Sequence, residues 1–240
     1  MKTILTRRLP LGWTFVLVPF ATVFTSLVFA VLNAAYRGDL SGFLASFGIG
    51  SSKAFSYFVY GIGAYGGFLI LYAFLKKAGF SVTDIGGSRR LSGKEILLAL
   101  LSFAVAFVVY VPIQYLCGRA GIPMYWGGSG AAVLIESPVD IALTFLGAVV
   151  LGVIGEDFIF RGYLLIMLRQ RLRTGWAVLL SVILFASIHL VMGPGITLYI
   201  LPWGLISCLL FLRTGNVYAC VLFHSLNNLI AYLVLPVLMR

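Results

Sequence analysis

Residues 139–168 read VDIALTFLGAVVLGVIGEDFIFRGYLLIML, a long apolar stretch whose second half contains Glu156, Asp157 and Arg161. An apolar run of about 20 residues or more is typical of a transmembrane helix. The stretch has no regular alternation of apolar and polar residues, so a membrane-spanning strand is disfavoured. It therefore predicts a helix at membrane depth that carries ionisable side chains.

The composition extends this interpretation to the whole chain. Its 240 residues are 61% hydrophobic and 10% charged, with a mean hydropathy of +1.07. About a quarter of the residues in a soluble domain are charged, so this chain has too few charges to cover the surface of a water-soluble globule. Because lipid offers no hydrogen bonds to the backbone, the continuous apolar runs predict an all-α, polytopic transmembrane bundle.

About seven spans can be placed along the chain, at roughly 11–35, 54–75, 95–117, 139–168, 176–192, 196–212 and 216–237. The first follows a basic N-terminus as a signal peptide does, but it is too long for a signal peptide and long enough to span. We expect one integral membrane domain with two regions. Residues 1–138 would form an N-terminal three-span region, and residues 139–240 a four-span core.

The distribution of Lys and Arg predicts the orientation, because these residues accumulate in cytoplasmic loops. With a cytoplasmic N-terminus, twelve of them face the cytoplasm: Lys2, Arg7, Arg8, Lys76, Lys77, Arg89, Arg90, Lys94, Arg169, Arg171, Arg173 and Arg213. Four face outside: Arg37, Lys53, Arg119 and Arg240. The net charge of +10 is thus attributed to membrane topology and to contacts with anionic lipid headgroups. Nucleic-acid binding is not expected. A prokaryotic plasma membrane is the expected location.

Ionisable groups inside a bilayer are costly and indicate function by default. The chain has two histidines, His189 and His224, and both fall in predicted spans. Asp157 and Arg161 are four residues apart, so they share a helix face and can form an ion pair. Phe185 stands four residues before His189, which places an aromatic ring beside that imidazole.

The same spacing puts His224 and Asn228 on one face of the last span. Heights along the helices can be counted from the turns near Arg171 and Arg213 at about 1.5 Å per residue. By this count, His224 and Asn228 lie at heights similar to those of Glu156 and His189. A carboxylate, two imidazoles and a carboxamide can hydrolyse a peptide bond. Glu156 with His189 could deprotonate a water, while His224 and Asn228 could donate to the oxyanion.

Three motifs in this order resemble the CAAX protease and bacteriocin-processing family, also called the Abi family. The motifs are Glu156-Asp157-x-x-x-Arg161, Phe185-x-x-x-His189 and His224-x-x-x-Asn228, beside the family patterns EExxxR, FxxxH and HxxxN or HxxxB. The resemblance covers about residues 145–235. Asp157 departs from it, since the family usually has a second Glu there.

The resemblance implies a metal-independent, cofactor-free, glutamate-type intramembrane endopeptidase similar to type II CAAX prenyl endopeptidases. By motif, Glu156 would be the base, His189 would assist it, and His224 and Asn228 would form the oxyanion site. Arg161 would support the acidic pair. The substrate would be a peptide or a membrane protein: a prenylated CAAX tail, a bacteriocin leader, a signalling peptide or a membrane-protein partner. Nothing in the sequence selects among these or indicates an oligomeric state.

Four alternatives remain open. A zinc protease could use Glu156, His189 and His224 as ligands, although the HExxH motif is absent. A rhomboid-type serine protease could use Ser129 in the sequence GGSG at 127–130, although this lies in a glycine-rich outer loop. A member of the resembled family could also be a non-proteolytic scaffold or regulator, which the departure at Asp157 allows. A transporter is disfavoured because no inverted repeat is visible.

Two further groups of residues are interpreted structurally. Tryptophans are expected to anchor the protein at the membrane interface: Trp13, Trp126, Trp176 and Trp203. The cysteines lack CxxC spacing and are expected to be small buried side chains: Cys117, Cys208 and Cys220.

Overall fold

The structure is a computed structural model that describes residues 8–12, 14–36, 39–87, 90–126 and 135–238. Within these ranges the chain is helical and contains no strand. Its helices are α1 (Thr14–Ala35), α2 (Leu40–Ala45), α3 (Ser52–Lys77), α4 (Gly93–Arg119), α5 (Pro138–Arg169), α6 (Thr174–Ser187), α7 (Pro194–Thr214) and α8 (Val217–Leu238). A short 3₁₀ turn, Val82–Ile85, lies between α3 and α4.

Six of these helices are long and apolar enough to cross a membrane: α1, α3, α4, α5, α7 and α8. The prediction of a polytopic helical membrane protein is confirmed, and all seven predicted apolar elements are present as helices. The chain is a multi-pass integral membrane protein. Its outer surfaces agree with lipid contact, since Val31 on α1 and Val108 on α4 are 65% and 68% exposed.

The predicted fifth span, 176–192, is the one that differs. Helix α6 has 14 residues and ends at Ser187, about 21 Å along its axis at 1.5 Å per residue. The chain then forms successive turns through Met192. The sequence prediction of a helix through His189 was wrong because the residues after Ser187 are as apolar as the helix itself. Hydropathy therefore gave no sign of the helix end.

Helix α5 is the centre of the bundle and packs along α3 at very short range. A Cβ atom at Gly147 would overlap the backbone of Tyr57 and Phe58, and one at Gly155 would overlap the backbone of Ala64. Small residues let membrane helices approach in this way. The close approach leaves no room for side chains between the two backbones, so it sets the register of α3 on α5.

The winding of α5 changes around the two acidic residues. Two π-helical segments, Phe145–Leu151 and Phe158–Leu164, flank the α-helical segment Gly152–Asp157. Segments of π-helix are rare and often occur at functional sites. Because each one rotates the side chains that follow it, the direction of Glu156 is not the one that a uniform α-helix would give.

The other helices surround α5. Helix α1 packs on α3, α6 packs on α7, and α8 contacts both α4 and α5, while α4 also packs along α7. The three cysteines are buried and unpaired, as predicted: Cys117, Cys208 and Cys220. Trp126 and Trp176 are 60% and 62% exposed, in agreement with an interfacial position, whereas Trp203 is 1% exposed. The interfacial interpretation of Trp203 was therefore wrong, and Trp13 lies outside the described residues.

A buried carboxylate joins the beginnings of α3 and α5. Asp140 is fully buried. Its Oδ1 accepts hydrogen bonds from the backbone N–H groups of Gly50 and Ser51, both at 3.1 Å. Its Oδ2 accepts from those of Glu136 and Ser137, both at 2.9 Å. Four backbone donors from two segments thus converge on one side chain.

We expect Asp140→Asn to destabilise the protein, because the amide keeps one acceptor oxygen and turns its own N–H groups toward backbone donors. The loss should be about 1.5–3 kcal/mol, the size of a hydrogen bond to a charged group, measured by denaturation in detergent. The exposed neighbour Glu136 provides the control Glu136→Gln, which should stay within about 0.5 kcal/mol of the wild type. An Asp140→Asn variant of unchanged stability would contradict this role.

Candidate functional site

Glu156 lies in the α-helical segment of α5 and is 7% exposed. Its Oε1 accepts a hydrogen bond of 2.6 Å from the Tyr60 hydroxyl on α3. Its Oε2 lies 3.9 Å from Nε2 of His224 on α8. The carboxylate is therefore held between two other helices and faces the interior of the bundle.

Asp157 is fully buried and connects α5 to α8. Its Oδ2 lies 3.2 Å from Nδ1 of His224, and its Oδ1 lies 3.4 Å from Nη1 of Arg161. Since a carboxylate accepts hydrogen bonds, Nδ1 of His224 carries the proton and donates it to Asp157. This leaves Nε2 directed at Glu156. The shorter side chain that departs from the family pattern still reaches both partners.

The Arg161 guanidinium is 1% exposed and is enclosed by aromatic rings. Its central carbon lies 3.9 Å from the centre of the Phe185 ring and 5.3 Å from that of Trp203. A cation over an aromatic face is attracted to it, most strongly where water is excluded. The Trp203 ring also packs edge-on against His224, at 4.6 Å between ring centres. These contacts lower the cost of burying the Asp157–Arg161 pair in an apolar medium.

His189 lies in the turn that follows α6, and not on a helix. Its Nδ1 is 2.9 Å from the carbonyl oxygen of Phe185, so Nδ1 donates and Nε2 is left as an acceptor. The turn is bonded to the segment after α4: the backbone N–H of Trp126 donates to the carbonyl of Met192, and its indole N–H donates to the carbonyl of Leu190, each at 2.9 Å. These bonds determine the position of His189.

Asn228 is more constrained than its motif suggests. Its Nδ2 donates to the backbone oxygen of Ala148 at 2.8 Å, a carbonyl in the first π-helical segment. Its Oδ1 accepts from Nδ2 of Asn227 at 3.2 Å, and Oδ1 of Asn227 accepts from the Tyr199 hydroxyl at 3.4 Å. One N–H of the Asn228 amide is therefore engaged, and the second is the one that a ligand can use.

One cavity of about 610 Å³ joins these groups. Its walls include all four predicted catalytic residues, Glu156, His189, His224 and Asn228. The three predicted supporting residues do not line it: Asp157, Arg161 and Phe185 pack behind the wall. The predicted set is thus brought together in two layers, one that faces the cavity and one that supports it.

Much of the remaining wall is aromatic, with six tyrosines among the lining residues: Tyr57, Tyr60, Tyr110, Tyr125, Tyr199 and Tyr232. Tyr125 lies in the loop after α4. Burial raises the pKa of its phenol, and the neighbouring Tyr110 adds to this effect. Tyr125 therefore lines the cavity as a neutral hydrogen-bonding group at ordinary pH.

Sequence reasoning did not assign three residues of this site. Tyr60 belongs to the second predicted span and to no motif, and a lone Tyr in an apolar helix does not identify a partner. Trp203 was interpreted as an interfacial anchor. Asn227 stands beside Asn228, and the HxxxN spacing gave a reason to choose only one of the pair. In the sequence, the adjacent polar residues Asn227 and Asn228 on an apolar span were the available signal.

The geometry also bears on the alternatives. In the described ranges of the chain, no group of three or more His, Cys, Asp or Glu side chains is arranged to hold a metal ion. Ser129 and its glycine neighbours, the basis of the serine-protease alternative, lie outside the described residues.

No curated protein and no solved structure matches the chain. One family model does, that of the type II CAAX prenyl endopeptidases described as Rce1-like, and it matches residues 138–230. This range runs from the start of α5 into α8 and contains every residue of the three motifs. The resemblance that the motifs indicated is confirmed: the segment that builds the site is similar to the Rce1-like type II CAAX prenyl endopeptidase family.

Proposed function

We propose that this protein is an intramembrane endopeptidase that cleaves a membrane-associated or lipidated peptide by means of a water activated by Glu156 and His189. The observation that carries the proposal is the buried carboxylate of Glu156 on the wall of a cavity that it shares with two imidazoles and a carboxamide. The family whose model matches is a peptidase family, and this supports the general reaction, hydrolysis of a peptide bond. The glutamate-type mechanism is our inference from the side chains.

The chemistry begins at Glu156. Its carboxylate takes a proton from a bound water, whose oxygen attacks the carbonyl carbon of the scissile peptide bond. His189 accepts a hydrogen bond from the same water through Nε2, because its Nδ1 is engaged with the Phe185 carbonyl. The proton held by Glu156 then passes to the leaving nitrogen as the C–N bond breaks.

The negative charge that develops on the carbonyl oxygen needs donors. His224 supplies Nε2–H when it is an imidazolium, and Asp157 at Nδ1 compensates the charge. Asn228 supplies the amide N–H that is not bonded to Ala148. Donors held in advance of the reaction are effective because they need not reorient as the charge forms. Arg161 acts through Asp157 and is a positioning residue.

We expect Glu156→Gln to abolish cleavage, because glutamine keeps the shape and the acceptor oxygen of the side chain but cannot take a proton. The loss should be at least about 100-fold, the usual effect of removing a general base. It is measured as turnover of a peptide substrate by purified protein in lipid nanodiscs. A chelator should leave the wild-type rate unchanged.

The control for this variant is Glu136→Gln, the same chemical change at an exposed site, which should cleave at the wild-type rate. Thermal unfolding in detergent should be similar for both variants. Full turnover by Glu156→Gln would refute the assignment of the base. Partner binding that survives in a protein without any turnover would favour the scaffold alternative.

We expect His189→Ala and His224→Ala each to lower kcat by at least about two orders of magnitude, the scale of losing an acid–base or oxyanion group. His224→Ala also leaves Asp157 without a partner at Oδ2, so His224→Asn is the variant to use if the alanine variant unfolds. A rate near that of the wild type would remove the residue concerned from the mechanism.

We expect Tyr60→Phe to lower kcat by about 10- to 100-fold, since it deletes a hydrogen bond to a charged group worth about 1.5–3 kcal/mol. The ring stays in the cavity wall, so KM should change little. Tyr57→Phe is the matched control: Tyr57 lines the same cavity from the same helix, but its ring packs on Tyr232, at 4.8 Å between ring centres. Equal losses in both variants would show a general packing effect and no specific role for Tyr60.

A further inference from the structure

The cavity lining reaches exposed residues at one end of the bundle, and its side is lined by residues from the middle of α1 and α4. Its outermost lining residues are Lys53 at the beginning of α3, Trp126 after α4, Val191 after α6 and Leu235 near the end of α8. All four segments lie at the same end. Among the described residues, none of the connections at the opposite end contributes to the lining, and these are the segments after α3, after α5 and after α7.

The opposite end of the bundle is filled with large side chains. Phe160, Tyr163, Phe211 and Phe223 are each no more than 2% exposed. They occupy the space between Glu156 and the far ends of α5, α7 and α8. A substrate that approached from that end would have to displace close-packed aromatic rings.

Two segments also close that end from outside. Leu9 is fully buried, and its backbone is bonded on both sides: its N–H donates to Gln170 at 2.8 Å, and its carbonyl accepts from Arg171 at 2.6 Å. The 3₁₀ turn covers α8 in a similar way, since the N–H of Val217 donates to the Gly86 carbonyl at 2.9 Å.

The closed end is also the basic end. Its described Lys and Arg residues are Arg8, Lys76, Lys77, Arg90, Lys94, Arg169, Arg171, Arg173 and Arg213, and its acidic residues are Asp84 and Glu95. The open end has Lys53 and Arg119 among its described residues, with Asp39, Glu136 and Asp140. An excess of Lys and Arg in short loops marks the cytoplasmic side. The basic, closed end is therefore the one that the charge distribution assigns to the cytoplasm.

We infer that the catalytic cavity opens to the extracytoplasmic side of the membrane and receives an apolar peptide segment from that side. The role of this segment as substrate rests on the proposed function. The aromatic walls favour apolar and aromatic side chains next to the scissile bond. The described lining carries one cation, Lys53, at the rim and no acidic group other than Glu156. The substrate is thus a membrane-anchored peptide whose cleavage point lies near the outer face of the membrane.

The two ends of α3 provide a matched test, because each carries an exposed lysine. Lys53→Cys and Lys77→Cys are made in a background with all three native cysteines replaced by alanine. Both are then treated with a membrane-impermeant maleimide in intact cells and in permeabilised cells. We expect Lys53→Cys to be labelled in intact cells. Lys77→Cys should be labelled only after the cells are permeabilised. The reverse pattern, or equal labelling of both positions in intact cells, would overturn the inference.

A second position tests the cavity itself. Ser56 lines it one turn deeper on α3 than Lys53, and Ser56→Cys should react with a small impermeant methanethiosulfonate reagent added outside. In sealed right-side-out vesicles, this modification should stop cleavage of an apolar peptide added on the same side. A Ser56→Cys protein that reacts only from the cytoplasmic side would overturn the inference.

The labelling result does not depend on activity, so the two proposals can fail separately. Labelling from outside with no cleavage would support the orientation and contradict the proposed peptidase. Cleavage that depends on Glu156, together with labelling from the cytoplasmic side alone, would support the peptidase and contradict the orientation.

Discussion

The Asp157 carboxylate, buried at the middle of α5, is shared between Arg161 on the same helix and His224 on α8. An unpaired charge at this depth would be very costly, so removing one partner of the buried ion pair would strongly destabilise the fold. The arrangement therefore links three features. It attaches α8 to α5, it holds the Arg161 guanidinium against Phe185 and Trp203, and it turns the second nitrogen of His224 toward Glu156.

Backbone contacts supply the other constraint on Glu156. Gly147 and Gly155 bring α5 against the backbone of α3, and this close register places the Tyr60 hydroxyl on the Glu156 carboxylate. The first π-helical segment of α5 also exposes the Ala148 carbonyl, which accepts a hydrogen bond from Asn228. A motif residue on α8 is thus oriented by a backbone irregularity on α5, and not by a second motif residue.

The shortness of α6 has a similar consequence for His189. A helix that continued to the membrane surface would carry this imidazole on a rigid face. Instead α6 ends at Ser187, and the following turn is bonded to Trp126 and its neighbours. His189 and the rim of the cavity are therefore parts of one connected structure.

The sequence by itself determined that the chain is a helical membrane protein, because apolarity and the need for internal hydrogen bonds act on each segment separately. It also predicted Glu156, His189, His224 and Asn228 as candidate site residues, since costly polar residues at regular spacing can be recognised without knowing their neighbours. The tertiary structure alone decided which groups meet. Tyr60 on Glu156 and Trp203 against His224 depend on how helices distant in the sequence pair and rotate, and neither hydropathy nor spacing contains that information.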